Sequence, residues 1–247
     1  MDGLIIQSDL EAFAVPAMAK FHFVEDYEAY VRQLKRDLPL DEAMSVAVGG
    51  DYDRIGAIEC EILQHLGLRD GDAVVDFGCG SGRLAVHLAR ACTVDYLGLD
   101  VVQDLLDYAR SRCPKTYRFA RNTALALPVA DASIDRFAAF SVFTHLLHTE
   151  CYIYLEAMHR ALKPGGRVVA SFLEFSMPSH WGVFTKTVGE QRASSVPHLN
   201  TFIERSVWQT WAHHLGFETV RFIDGTAAPW PSGVHLGQSV VVLGKAV

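Results

Sequence analysis

Three glycines at alternate positions, Gly78, Gly80 and Gly82, follow the apolar run Val74-Val75-Asp76-Phe77 and precede a helical pattern that opens at Arg83. Glycine at such a turn lets the backbone reverse sharply, and lets a ligand lie against the main chain with no Cβ between them. The amino end of the following helix offers unpaired N–H groups and the positive end of its dipole, which suit a carboxylate or a phosphate. Asp76 stands just before the turn and suits a cation. One βα unit later, Leu97-Gly98-Leu99-Asp100 ends a second apolar run in an acid, placed to accept from both hydroxyls of a ribose.

The spacing here is G-x-G-x-G. Dinucleotide sites use G-x-G-x-x-G, and Arg83 stands where their third glycine would be. A carboxylate at Asp76 is unfavourable beside a pyrophosphate and favourable beside an α-ammonium group. Both points disfavour a nicotinamide-dependent oxidoreductase. A ligand that joins an ammonium, a carboxylate and an adenosine is S-adenosylmethionine.

With two further blocks, Ala126–Asp135 (ALPVADASID) and Leu162–Val168 (LKPGGRV), the chain resembles the class I, seven-strand S-adenosylmethionine-dependent methyltransferases. The resemblance implies a Rossmann-like α/β fold, with a mostly parallel seven-stranded sheet, helices on both faces and an antiparallel last strand. It implies S-adenosyl-L-methionine as cofactor, with Asp76, Gly78, Cys79, Gly80 and Gly82 around its methionine end. Asp100 would hold the ribose and Val101 would pack on the adenine. Relatives often carry Gly-Asp where this chain has Asn122-Thr123, and Asn122 can accept there through its amide oxygen. Phe140, after the fourth strand, would line the sulfonium. Tyr52 matches a tyrosine that some relatives present to the methionine carboxylate. The implied activity is methyl transfer to a small-molecule oxygen or nitrogen; the alternative is a non-catalytic, regulatory binder of the same cofactor.

His145 and His148 follow the fourth strand, where an acceptor would sit. A histidine there can take a proton near neutral pH, which makes His145 the candidate catalytic base. His145, His148 and Glu150 match no strong metal-ligand spacing, so no metal is expected.

These residues need a scaffold that brings strand ends together. From Asp72 onward, strand-like runs alternate with helical ones: strands at Ala73–Phe77, Val94–Leu99, Tyr117–Ala120, Ile134–Phe140 and Arg167–Phe172, and helices at Arg83–Ala91, Val101–Arg112 and Cys151–Leu162. Such alternation means βαβ crossovers and a covered parallel sheet. Lys163-Pro164-Gly165-Gly166 reads as a helix stop. Residues 1–66 read as an N-terminal helical cap, with helices over Asp26–Leu38 and Tyr52–Leu66, and residues 67–247 as the main domain. The stretch 173–205 breaks the rhythm and reads as a lid insertion. A helix at Val207–Leu215 and strands at Phe217–Ile223 and Ser239–Leu243 finish the chain, the two strands as an antiparallel pair.

Composition sets outer bounds. The 247 residues carry a net charge of -7 with no basic stripe, which argues against nucleic acid as the partner. The first 20 residues show neither a basic n-region nor an apolar run, and no stretch nears the roughly 20 apolar residues that span a bilayer. The five cysteines are scattered and never spaced C-x-x-C. Together these point to a cytoplasmic protein with reduced thiols that acts on a small molecule, away from membranes. Oligomeric state is left open.

Overall fold

The computed structural model describes residues 24–193 and 199–247. The first 23 residues of the expected cap and residues 194–198 of the expected lid lie outside them. Seven strands form one sheet: β1 (Ala73–Phe77), β2 (Asp95–Asp100), β3 (Arg118–Arg121), β4 (Ile134–Ala139), β5 (Leu162–Phe172), β6 (Thr219–Ile223) and β7 (Ser239–Gly244). Their spatial order is β3-β2-β1-β4-β5-β7-β6. The first five run parallel, and β7 lies antiparallel between β5 and β6. The expected fold is thus the observed one. The order reverses between β1 and β4, so a crevice opens at the carboxyl ends of these two strands, where open α/β sheets bind ligands.

Helices cover both faces, which is why the central strands are apolar throughout rather than alternating. On one face α3 (Tyr52–His65) and α4 (Arg83–Ala91) bury Ile58, Ile62, Leu84 and Leu88 against Val74 and Val242. On the other, α6 (His148–Ala161) and α8 (Arg205–Leu215) bury Tyr154, Leu155, Met158 and Trp208 against Phe137 and Phe172. A smaller cluster joins α1 (Val24–Asp37) and α2 (Leu40–Ala47) to α5 (Gln103–Arg112) through Val31, Met44 and Leu105. The expected boundary at residues 66 and 67 therefore runs between α3 and β1, two elements that share one core. Among the described residues, α1 and α2 pack in a cluster of their own with α5.

Two element starts differ from the sequence expectation by three residues or more. Helix α6 begins at His148 rather than Cys151 because Glu150 turns back and accepts the Leu147 N–H at 2.8 Å. Lys163–Gly166 does not separate α6 from a strand at Arg167; β5 starts at Leu162. Leu162 pairs with Ile134 and Arg167 with Arg136, so five steps along β5 face two along β4. The extra residues bulge outward, with Gly165 at φ +75° and its N–H bonded to the Ala246 carbonyl at 2.9 Å.

The insertion after β5 holds one further helix, α7 (Pro178–Arg192), with proline in its first turn, where a missing N–H costs nothing. Glu174 pins this insertion to the sheet. Its buried carboxylate takes two hydrogen bonds from Arg205, at 2.9 and 2.8 Å, one from Ser239 at 2.5 Å and one from Ser176 at 3.2 Å. Burial alone raises the Glu174 pKa, but the Arg205 and serine hydrogen bonds outweigh it and hold the carboxyl below its ordinary range. A depressed carboxyl stabilises the fold above its unfolded pKa, and that contribution is lost as pH falls through the folded value. Glu174→Gln should therefore cost about 2 kcal/mol in urea unfolding at pH 7, with the gap to wild type narrowing toward pH 3. An equal gap at both pH values would remove the charged form of Glu174 from the account.

Candidate active site

A cavity of about 510 Å³ lies at the carboxyl ends of β1, β2, β4 and β5, roofed by α1, α2 and α7. Of the residues singled out in the sequence, Asp76, Gly78, Cys79, Gly80, Asp100, Val101, Asn122, Phe140 and His145 all reach its wall. The chain thus brings together residues from four strand ends that are up to 69 positions apart.

The floor is the turn between β1 and α4. Gly78 and Gly80 have φ +75° and +53°, in the left-handed region that disfavours other residues. A Cβ at Gly78 would stand 2.3 Å from a Val142 methyl, and one at Gly80 would stand 2.5 Å from a Val48 methyl. The turn is held from below: the N–H groups of Gly78 and Cys79 donate to the Leu99 carbonyl at 2.7 and 3.0 Å. Asp100 completes it. Its Oδ2 accepts from Gly80 N at 2.8 Å and its Oδ1 from Val102 N at 2.9 Å. Burial raises the Asp100 pKa, and the hydrogen bonds from Val102, Gly80 and Val101 oppose the rise. Each carboxylate oxygen accepts more than one hydrogen bond, so Asp100 keeps acceptor capacity toward the cavity.

Asp76 is buried, and its Oδ2 accepts from the Tyr96 hydroxyl at 2.6 Å. Burial pushes its carboxyl up to about 7, against the lowering effect of that hydrogen bond. Near neutral pH the group is therefore poised to ionise when a cation arrives. Asn122 donates its side-chain N–H to the Ala126 carbonyl at 2.9 Å, which assigns the amide oxygen as its acceptor. His145 faces the Leu199 carbonyl through Nδ1 at 2.7 Å. A carbonyl only accepts, so the proton of a neutral ring sits on Nδ1 and the basic lone pair on Nε2.

Three residues named from the sequence lie off the wall. Gly82, at φ +83°, packs against α5, where a Cβ would stand 2.8 Å from that of Ala109. The Tyr52 hydroxyl donates to the Ser81 carbonyl at 2.9 Å behind the turn. Thr123 is exposed. Other wall residues escaped the sequence reading. Arg83 pairs with Glu59 at 2.5 Å, both buried, and donates to the Val48 carbonyl at 2.6 Å. A signal did exist: Glu59 interrupts the apolar stripe of Ile55, Ile62 and Leu66 on α3, and Arg83 puts a cation at a helix amino end, where the dipole opposes it. His180 on α7 accepts the Glu174 N–H through Nδ1 at 3.0 Å, so Nε2 carries the proton and donates to the Gly237 carbonyl at 3.0 Å. Both ring nitrogens of His180 serve the architecture.

A family model described as a methyltransferase domain matches residues 74–166, the span from β1 through the β5 bulge. The chain carries a class I S-adenosylmethionine-dependent methyltransferase domain. S-adenosylmethionine is the methyl donor of that family. Among curated relatives, the demethylmenaquinone methyltransferase of Lactococcus lactis is 28% identical over 149 residues, covering 54% of this chain and 57% of its own. The chain spans 34 to 57% of the length of the first curated relatives it matches. Among solved structures, a possible histamine N-methyltransferase from Thermotoga maritima superposes with a TM-score of 0.64 at 18% identity, covering 92% of this chain and all of that one. The magnesium protoporphyrin IX methyltransferase of Synechocystis superposes with a TM-score of 0.61 at 14% identity, covering 90% and 97%. These two show that the methyltransferase domain and its flanking elements share one architecture.

Within the methyltransferase domain, Gly82 packs on Ala109 and stands off the cavity wall that Gly78 and Gly80 line. Gly82→Ala should lower unfolding stability by about 1–3 kcal/mol, through overpacking and the left-handed φ. Affinity of the folded variant for S-adenosylhomocysteine should change less than about threefold, a small shift in free energy. Large affinity loss with unchanged stability would place Gly82 at the ligand instead.

Proposed function

We propose that this protein transfers a methyl group from S-adenosylmethionine to an oxygen or nitrogen of a small-molecule acceptor. The observation that carries the reading is one cavity whose wall includes the glycine turn, Asp76 and Asp100 together with Phe140 and His145. The walls fit the cofactor chemically. Asp76 offers a buried anion to its ammonium, Asp100 offers acceptors to its ribose hydroxyls, and Asn122 offers an amide oxygen to its adenine amino group. Gly78 and Gly80 carry the turn along the wall beside the methionine portion, their missing Cβ atoms making room for Val142 and Val48, and Val101 supplies an apolar wall. When bound, the cofactor supplies a methyl group activated on a sulfonium centre.

The chain's own residues then position, enclose and deprotonate. Phe140 and Val142 add apolar surface to the same wall. The His145 ring, oriented by Leu199, offers Nε2 to the proton of an acceptor hydroxyl or amine. Helices α1, α2 and α7 exclude water from above, and a well-aligned pair of reactants held there gains roughly 7–11 kcal/mol over the free pair. Support for a small-molecule acceptor comes from the relatives: the Lactococcus protein is named for demethylmenaquinone and the Thermotoga structure for histamine.

Isothermal titration with S-adenosylmethionine, S-adenosylhomocysteine and NAD tests the reading. Binding of the first two at about micromolar Kd is expected, with no heat from NAD. Asp100→Ala should abolish it, and because Asp100 also braces the turn, circular dichroism must show the variant folded. NAD binding in preference to the other two would overturn the cofactor assignment. With an acceptor found by screening, His145→Gln should lower kcat by about 10²–10⁴-fold and leave cofactor affinity unchanged. Tight cofactor binding without turnover of any screened acceptor class would favour a regulatory binder.

A further inference from the structure

Asp76 sits among groups that mostly oppose its charge. Glu59 from α3 and Asp100 from β2 both raise its pKa, while Arg83 from α4 lowers it but is committed to Glu59. The Cys79 and Cys113 thiols complete its titratable surroundings. Against this stands one neutral donor, the hydroxyl of Tyr96. Tyr96 is fully buried on β2, where it pairs in register with Val74, two residues before Asp76. The direct partner of Asp76 is Gly98, which has no side chain to compete for the carboxylate. The Tyr96 ring stacks on Tyr117 at 4.5 Å and 17° and tilts against Phe119 at 5.6 Å. Buried between these rings, it cannot turn its hydroxyl to water.

We propose that Tyr96 is a positioning residue for the cofactor's ammonium subsite: its hydroxyl fixes one oxygen of Asp76 and leaves the other oxygen for the cationic ligand. The inference rests on the reading of Asp76 as the ammonium partner. It assigns a function to a core tyrosine that touches no ligand. Its chemistry is specific to the hydroxyl, since phenylalanine would preserve every ring contact and remove only the donor. Tyr117 is the internal control, because its own buried hydroxyl has no hydrogen-bond partner among the described residues.

The test is titration calorimetry with S-adenosylhomocysteine from pH 5.5 to 9 on wild type, Tyr96→Phe, Tyr117→Phe and Asp76→Asn. Wild-type affinity should rise as pH passes about 7 and Asp76 ionises before the ligand arrives, and fall again toward pH 9 as the ligand loses its own ammonium proton. Removing a hydrogen bond to the charged form raises a carboxyl pKa. For Tyr96→Phe the midpoint should move up by about one unit, giving about fivefold weaker binding at pH 7 and less than twofold at pH 9. Tyr117→Phe should follow wild type, and Asp76→Asn should bind weakly and lose the rise around pH 7. A Tyr96→Phe profile that overlays wild type overturns the inference and leaves the cofactor reading intact. So does a rise around pH 7 that survives in Asp76→Asn, an arm that holds even if Tyr96→Phe fails to fold. Absence of S-adenosylhomocysteine binding by wild type at every pH would overturn the cofactor reading and this inference with it.

Discussion

The site depends on one carboxylate that holds two turns at once. Asp100 accepts from Gly80 in the β1–α4 turn and from Val102 in the β2–α5 turn. Neither turn has a helix or strand ladder to define it at those N–H groups, and a buried donor left unpaired costs about 1–3 kcal/mol. The left-handed glycines permit the backbone path, but permission is not selection. Asp100 selects it, and the Leu99 carbonyl beside it takes the N–H groups of Gly78 and Cys79. The tip of β2 thus shapes the turn that follows β1, and the floor of the cavity is as rigid as the pairing of two central parallel strands.

Two ion pairs extend that rigidity to the roof, one on each side, the first buried and the second joining buried Glu174 to a partly exposed arginine. Glu59 and Arg83 join α3 to α4, and Arg83 continues to the Val48 carbonyl at the end of α2. Val48 in turn lies over Gly80, so the cap meets the floor at the glycine turn itself. On the far side Glu174 and Arg205 join the insertion to α8, and His180 links α7 to the loop before β7. A buried pair such as Glu59–Arg83 adds little net stability over apolar packing, but breaking it strands a charge. The value of the two pairs here is positional: each fixes an element that the sheet alone does not reach.

How much of this was legible in the sequence follows from the range of the forces involved. The turn, the strand ends at Asp76 and Asp100 and the order of elements were readable because glycine conformation, apolar runs and helix periodicity act over a few neighbouring residues. The bulge after Leu162 was not, because Lys163–Gly166 has the local chemistry of a helix stop and only pairing with β4 and the Ala246 carbonyl turns it into part of a strand. Gly82 sits in the right motif, yet its reason for being glycine is Ala109, one helix away. Tyr52 lies close to the turn but behind it, with its hydroxyl on the Ser81 carbonyl. Glu174 and His180 fall in a stretch without periodicity, and their partners are 31 and 57 residues away. Local rules place a residue on an element; they do not say which distant group it meets.

The charges on the wall bear on which ligand state the cavity favours. Among the described residues lining it stand four carboxylates, Glu59, Asp76, Asp100 and Glu150, and one guanidinium, Arg83. Arg83 and Glu59 neutralise each other, so the remaining field is negative. On the proposed reading the methyl donor carries positive charge at both its sulfonium and its ammonium, and the product after transfer keeps only the ammonium. A negative wall in a partly desolvated cavity therefore favours donor over product, because attraction grows as the surrounding dielectric falls. The same wall makes no provision for an anionic acceptor, which would bring a charge of the wrong sign into contact with Glu150 and find no uncommitted cation among the described lining residues. Burial of acids, costly to the fold, thus becomes the means by which a largely apolar cavity distinguishes a cationic donor from the neutral thioether it leaves behind.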